Sequence, residues 1–459
     1  MKHEQHEGQD LTRGSVLKEL WSVAWPMMLS VFFYTFYNIV DAFWVSKISP
    51  EAIAAVSISQ ITLFLMASLS MGITIGSGVI MAMNIGAHDN KEAERVLGQS
   101  FVLSVIAALF FTVVSFLFRD QLLTASGAAG TIFDPAFTYF TITAAGSVLF
   151  FILITIMFAF NAQGDTFTLT KLFAFSTVIN LVLDPILIFG WGGLPSFGIA
   201  GAAYATLISQ AAFIIVAIKS LSSSHRSIRF HFSNLTFKWD SVKSVLKIGV
   251  PASLTQVINP IGVAALLYIT SIGFQESGTI AFSIGNRIEF LGFLPAVGFG
   301  FGAMALIGQN IGAGNLKRAK ESFHDALKYG FVGAAALGII AVLFAKDIIG
   351  IFTADPVVVQ YTQSYIWIVA LSYGFLAAMM VEANAFQALG KSWPGFWIFF
   401  LRFIVISIPL SYILTQFFAF SIIGVWIAIA VGNLIPSVVG YFWITKTMET
   451  LDIKTVPVH

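Results

Sequence analysis

Long apolar runs fill almost the whole chain, and its polar residues gather at short charged or Gly/Pro-rich turns between them. A helix needs about 20 mainly apolar residues to cross the hydrocarbon core of a bilayer. Cutting at the turns predicts twelve such helices, centred near Val31, Met66, Ala107, Leu149, Thr177, Ser209, Ile258, Leu294, Ala336, Tyr373, Leu410 and Val431. Several runs exceed about 30 residues, which predicts tilt, kinks or extension beyond the bilayer.

The pattern occurs twice. Pro26 opens a run that ends at Asn84-Ile85-Gly86-Ala87, followed by Lys91, Ala93 and Arg95; Pro251 opens one that ends at Asn310-Ile311-Gly312-Ala313, followed by Lys317, Arg318 and Ala319. The prolines lie 225 positions apart (251 − 26) and the Asn-Ile-Gly-Ala signatures 226 (310 − 84). Phe160-Asn161-Ala162-Gln163-Gly164-Asp165 and Phe386-Gln387-Ala388-Leu389-Gly390-Lys391 repeat the second offset (386 − 160 = 226). An even number of helices per repeat starts both on one side, so the repeats are parallel and related by an axis along the membrane normal. The expected fold is an all-α integral membrane protein with twelve transmembrane helices in two pseudo-symmetric six-helix lobes. Its parts are a cytoplasmic tail (1–14), an N-lobe (15–220), a cytoplasmic linker (221–240), a C-lobe (241–448) and a second cytoplasmic tail (449–459).

Charge sets the orientation. With both termini inside, the outer loops hold only Lys47, Arg119 and Lys346 of the 24 Lys and Arg, and Arg287 and Arg402 fall within helices. That bias favours cytoplasmic termini in a multi-pass protein of the cell (inner or plasma) membrane. Composition agrees: 57% of residues are hydrophobic and 10% charged, where soluble domains carry about 25% charged residues. Net charge of +1 offers nothing to nucleic acid, and the absence of Cys excludes disulfides and thiolate chemistry. The polar, partly acidic N-terminus does not resemble a cleaved signal peptide.

Ionisable residues inside a membrane are costly and default to function. Here they are Asp41, Asp184, Arg287, Glu289, Glu382 and Arg402. All seven His lie outside the predicted spans, so an intramembrane proton carrier must be a carboxylate. Tyr37 precedes Asp41 by four residues and Asn180 precedes Asp184 by four, so each pair shares a helix face. Helix six adds Thr206, four after Ala202, within the small-residue run Gly201-Ala202-Ala203, where close approach can leave a carbonyl reachable. Two carboxylates, a carboxamide and a hydroxyl suit Na+, or a shared proton if one Asp is protonated. Pro185 loosens the helix beside Asp184. The competing account is structural, with Asp41 at the outer interface and Asp184 ending a helix. Arg287 and Glu289, two apart, need separate partners, while Glu382 and Arg402, on consecutive helices, could form an ion pair; all four are assigned structural or gate roles. Met27, Met28, Met66 and Met157 are candidates for an adaptable apolar cavity, and Asp165 reads as a turn and helix start.

Three segments together resemble the multidrug and toxic compound extrusion (MATE) family across nearly the whole chain. They are Ile307-Gly308-Gln309-Asn310-Ile311-Gly312-Ala313-Gly314, Phe386-Gln387-Ala388-Leu389-Gly390-Lys391 and Asn180-Leu181-Val182-Leu183-Asp184-Pro185. With no acid between Pro251 and Asn259, the chain is similar to the DinF-like branch. The resemblance implies a non-enzymatic antiporter, expected to be a monomer without cofactors, exporting amphipathic, often cationic drugs against inward H+ or Na+. It places the cation site on Tyr37, Asp41, Asn180, Asp184 and Thr206 near the Ala202 carbonyl. It also places Tyr139 in the first-lobe cavity, and at Pro26 a hinge that would move Met27, Met28 and Tyr34. Where many relatives read Leu-Arg-Gly, this chain has Phe160-Asn161-Ala162, which argues against an inner-gate arginine there. The second repeat sets Leu266 or Leu267 opposite Asp41 and Ser407 to Pro409 opposite Asp184, so coupling should be asymmetric.

Two rivals fit less well. A lipid-linked oligosaccharide flippase needs cavity cations to hold a pyrophosphate, and only Arg287 and Arg402 are intramembrane. An intramembrane aspartyl protease could use Asp41 and Asp184 as a dyad, but the duplication and the lack of a helix-embedded Gly-x-Gly-Asp oppose it.

Overall fold

Turn chemistry divides the chain into helices. The computed structural model describes residues 10–223, 226–418 and 420–451. The first nine residues of the N-terminal tail, His225 and the chain beyond Leu451 lie outside the described residues, as does the Met66 side chain. In order come α1 (Val16–Ser46), α2 (Pro50–Gly86), α3 (Asn90–Leu117), the short α4 (Arg119–Ala125), α5 (Phe133–Ala145), α6 (Ser147–Ala162), α7 (Thr166–Phe189) and α8 (Ile199–Leu221). The second repeat gives α9 (Trp239–Gly312), α10 (Leu316–Leu343), the short α11 (Ala345–Gly350), α12 (Pro356–Val369), α13 (Tyr373–Ala388), α14 (Ser392–Phe400), α15 (Ile408–Tyr412) and α16 (Ile423–Glu449). Two π-helical stretches, Leu401–Ser407 and Ile413–Phe417, flank α15.

The repeated signatures terminate and restart helices. The carboxamide of Asn84 donates to the Ile80 carbonyl at 2.9 Å, and that of Asn310 to Leu306 at 2.8 Å. Each chain end is then recapped at the matching position: Asp89 accepts from the Glu92 N–H and Asn315 from the Arg318 N–H, both at 3.1 Å. Such a cap satisfies one of the otherwise orphaned amides of the first turn. Asp165 does the same for α7, as its sequence context predicts, accepting from Thr168 N–H at 3.1 Å.

Among the described residues, ten helices are long and apolar enough to cross a membrane, or eleven with the 53° bent pair Gly130–Ala145 and Ser147–Ala162 taken as one span. The 37-residue α2 adds another by length. The 74-residue α9 holds two spans, because Gln275 breaks it at φ 51°, ψ −143°, a conformation that side chains rarely adopt. Exposed Phe110, Ile215, Leu343 and Phe442 give the outer faces the apolar surface a bilayer requires.

The chain forms two compact units, and their borders are not the linker. One unit contains Leu29–Ser253; the other contains Leu11–Met28 and the chain from Leu254 onward. The linker between α8 and α9 belongs to the first unit, tied down by Arg226, which donates to Asp165 at 2.7 Å and to the Ser220 carbonyl at 2.8 Å. Each repeat's opening helix therefore starts in the other repeat's unit and crosses over shortly after Pro26 or Pro251. The packing that holds the exchanged segments is itself duplicated. In the first unit, Gly72 of α2 lies on Gly249 of α9, where a Cβ on Gly72 would come within 2.1 Å of the Gly249 carbonyl. In the second, Gly298 of α9 lies on α1, where a Cβ would come within 2.8 Å of the Ala24 carbonyl. Gly72 and Gly298 are 226 apart (298 − 72) and Ala24 and Gly249 are 225 apart (249 − 24), so one contact was copied with the repeat.

These contacts predict a size limit. Gly72→Val should lower thermal stability in detergent by about 1–3 kcal/mol, the range for overpacking. Gly333→Ala, whose new Cβ would meet Pro295 only at an ordinary 3.4 Å, should be neutral or slightly stabilising. Melting curves followed by gel filtration would compare the two.

Candidate cation site

In the first unit, polar side chains converge from four helices onto one buried centre. The later part of α1 is fixed to α7 by Ser30 and Thr170, whose hydroxyls lie 2.9 Å apart, and by Thr177, which donates to the Phe33 carbonyl at 3.3 Å. α8 presses on α7 at Gly201, where a Cβ would come within 2.4 Å of the Leu187 carbonyl. That approach is what the small-residue run predicts, and it brings Thr206 and buried Ala202 beside α7. α5 supplies Tyr139.

Asp41 and Asp184 are 2% and 0% exposed. Asp41 acts electrostatically on Asp184, Tyr37 and Tyr139, and Thr206 faces the hydroxyls of both tyrosines. Asn180 donates its amide to Asp184 Oδ1 at 3.1 Å, which fixes the carboxamide oxygen toward the remaining space. Asp41 Oδ1, Asp184 Oδ2, Asn180 Oδ1 and the Tyr37 hydroxyl are buried without hydrogen-bond partners. No lysine, arginine or histidine among the described residues faces either carboxyl. Buried polar atoms are normally satisfied, and a buried charge normally has a partner. A centre with two acids and four spare oxygens is matched to a proton or a small monovalent cation.

A family model, MatE, matches residues 26–186 and 251–413. The chain belongs to the MATE family. The two matched segments begin at Pro26 and Pro251, so each repeat is one family unit. Relatives match over almost their full length. The FAD transporter of Shewanella oneidensis is 25% identical over 439 residues, 95% of this chain and 96% of its own. The probable multidrug resistance protein NorM of Thermotoga maritima is 25% identical over 417 residues, 90% and 88% of the two chains. A solved structure of the outward-facing conformation of a multidrug resistance MATE family transporter superposes with a TM-score of 0.90 at 26% identity, covering 99% of this chain and 100% of that one. MATE structures described as bent and as straight match at the same score and 25% identity.

The structure divides the remaining residues that sequence reasoning nominated for this MATE protein. Tyr139, Tyr34 and Met157 belong to the first unit, with Tyr34 exposed and Met157 half-buried. Met27 and Met28 belong to the second, where Met27 is buried and Met28 packs on Gly298. Pro26 lies inside an unbroken α1. Glu382 and Arg402 do not pair. Arg402 instead approaches Glu289 at 3.8 Å, and Glu382 has Ser437 at 3.5 Å. Consecutive position in the chain suggested the wrong partner: Arg402, at the start of a π-helical stretch, faces α9 rather than α13. Arg287 is exposed. Gln60 of α2, which faces the Tyr139 hydroxyl, was missed; a single carboxamide beside the hydroxyls of Ser57, Ser59 and Thr62 gave no signal of its own.

The hydrogen-bond pattern separates structural from ligand-directed groups. Tyr37→Phe removes a hydroxyl with no completed bond, so stability should change by less than about 0.5 kcal/mol, while cation-dependent stabilisation falls. Asn180→Ala strips a bond from a buried carboxyl and should cost about 1–3 kcal/mol. Thermal melts with and without Na+, at two pH values, read both effects.

Proposed function

We propose that this MATE transporter is a secondary active exporter of amphipathic, often cationic, drug-like molecules, driven by inward H+ or Na+ exchange at the Asp41–Asp184 centre. The observation that carries the proposal is the uncompensated acid pair: two buried carboxyls in the first unit with no cation of the protein facing them. An exchangeable cation supplies the missing charge, and its departure leaves the pair repelling. Named multidrug relatives support drug-like cargo. The protein works as a monomer in the plasma membrane with both termini cytoplasmic, as the Lys and Arg distribution favours. The Shewanella relative supports a second cargo, a flavin nucleotide.

Proteoliposomes loaded with a fluorescent cationic dye or with FAD, and given a pH gradient alone or a Na+ gradient alone, separate both cargo and coupling ion. Asp41→Asn should remain monodisperse and lose gradient-driven export by tenfold or more, on the order of 1.4 kcal/mol of coupling per decade. Wild-type export by that variant would remove Asp41 from coupling.

Pro26 is the hinge in this scheme. It lacks a backbone donor, which lets a helix bend at low cost, and it stands just before α1 passes from one compact unit to the other. MATE relatives crystallised in bent and straight forms support such a device. Spin labels at residues flanking 26 should report two distance populations whose ratio changes with pH or Na+. Pro26→Ala should keep dye binding but lose that dependence. A single pH-independent distance in the wild type would defeat the hinge.

A further inference from the structure

The second unit has a buried polar centre at the repeat-equivalent place, and its charge is arranged in the opposite way. Tyr139 of α5 and Tyr365 of α12 are 226 positions apart (365 − 139), and both are buried. Around Tyr139 stand two acids and no cation. Around Tyr365 stand one acid and one cation. The Tyr365 hydroxyl donates to Glu289 Oε2 at 2.6 Å, and Arg402 Nη2 lies 3.8 Å from Glu289 Oε1. Tyr373 also faces Glu289. Trp426 of α16 packs edge-on against Tyr365 at 4.8 Å and donates its indole N–H to Ser364 at 3.1 Å. The groups facing Glu289 are thus Tyr365 from α12, Tyr373 from α13 and Arg402 from the π-helical stretch.

The acids of the two centres come from different positions. The second repeat is apolar opposite Asp41 (Leu266 or Leu267) and uncharged opposite Asp184 (Ser407 to Pro409). Glu289 comes instead from the second span of α9, and Arg402 from the start of a π-helical stretch, a feature that often marks functional sites in helices. Arg402 is 6% exposed and rests on the Phe403 ring at 4.5 Å. A guanidinium stays protonated and cannot leave.

We infer that the Glu289–Tyr365–Arg402 centre is a monovalent-cation site, built around the repeat-equivalent tyrosine, whose cation is supplied permanently by the Arg402 side chain. The first unit exchanges its cation during turnover, and the second carries one by covalent tether. The second unit then holds a charge-balanced centre without adding a coupling ion. Removing the side chain turns it into an exchangeable site, for which a proton, Na+ or free guanidinium has the right charge. The inference uses the reading of the first unit's centre only as a comparison; its test concerns Glu289 and Arg402 alone.

The test is a cycle of Arg402→Ala, Glu289→Gln and the double variant in the full chain, read by thermal stability in detergent with guanidinium chloride at low millimolar concentration, with NaCl, or at lowered pH. Arg402→Ala should lose several degrees, and guanidinium, Na+ or acid should restore several beyond any change in the wild type. The double variant, whose centre is neutral, should recover stability and ignore all three. If Arg402→Ala does not fold, the double variant must fold; if both fail alike, Arg402 serves packing and the inference falls. It falls equally if Arg402→Ala folds and responds to the three cations no more than the double variant does. Failure here would leave the Asp41→Asn result unaffected, and loss of coupling in Asp41→Asn would not rescue it.

Discussion

A carboxylate in an apolar interior must find a positive charge, take a proton or make its surroundings pay several kcal/mol. That constraint orders both units. In the second, Glu289 finds Arg402 and a phenolic donor. In the turn below α6, Asp165 finds Arg226 and a helix amide. Asp41 and Asp184 find neither, although they are among the most deeply buried acids in the chain. Their neighbours supply oxygens, and the one amide nearby, that of Asn180, is spent on a single carboxylate oxygen. Glu382, equally buried, stands alone with Ser437 at 3.5 Å; Asp41 and Asp184 differ from it in acting on each other, two acids sharing one centre with no arginine or lysine beside them.

Duplication explains how such an imbalance can persist. Once two copies of a packed scaffold exist, the glycine contacts that set helix approach are held in both, because neither copy can accept a larger residue there. Gly72 on Gly249 and Gly298 on Ala24 are the same contact made twice. Polar positions are freer, since a centre needs charge balance more than any one donor position. Tyr139 and Tyr365 hold equivalent positions, while the acids stand on different helices and only the second centre holds an arginine. The backbone is therefore symmetric where packing is tight and asymmetric where chemistry is carried.

Much of this was legible in the residue order. The two runs, the Asn-Ile-Gly-Ala terminators and the i, i+4 pairs Tyr37/Asp41 and Asn180/Asp184 all depend on local periodicity, which the sequence displays directly. The convergence of α1, α7 and α8 could be anticipated because small residues at Gly201-Ala202-Ala203 leave few alternatives to close approach. Three features were not legible. The partner of Arg402, Glu289, lies more than a hundred residues away on α9, and only tertiary packing brings the two together. Gln60 joins the site through tertiary approach of α2 to α5, with no periodic companion. The unit borders near Met28 and Ser253 fall inside long apolar helices, where composition changes nowhere; the conspicuous polar linker suggested a border that packing does not use.

The exchanged helix starts have a consequence for how an ion could act on cargo. Asp41 and Pro26 share α1, but Asp41 lies in the unit containing α7 and α8, while Pro26 lies in the stretch that packs on α9. A change in charge at Asp41 alters how firmly the later part of α1 holds to α7, to which Ser30 and Thr177 also tie it. The earlier part packs through a different set, Gly298 and Gly302 against Leu20, Ala24 and Met28. Ion binding can thus bias one end of α1 without weakening the other, and the strain must be absorbed between them. A proline is a cheap place to absorb it, because its ring nitrogen has no N–H to donate to the preceding turn.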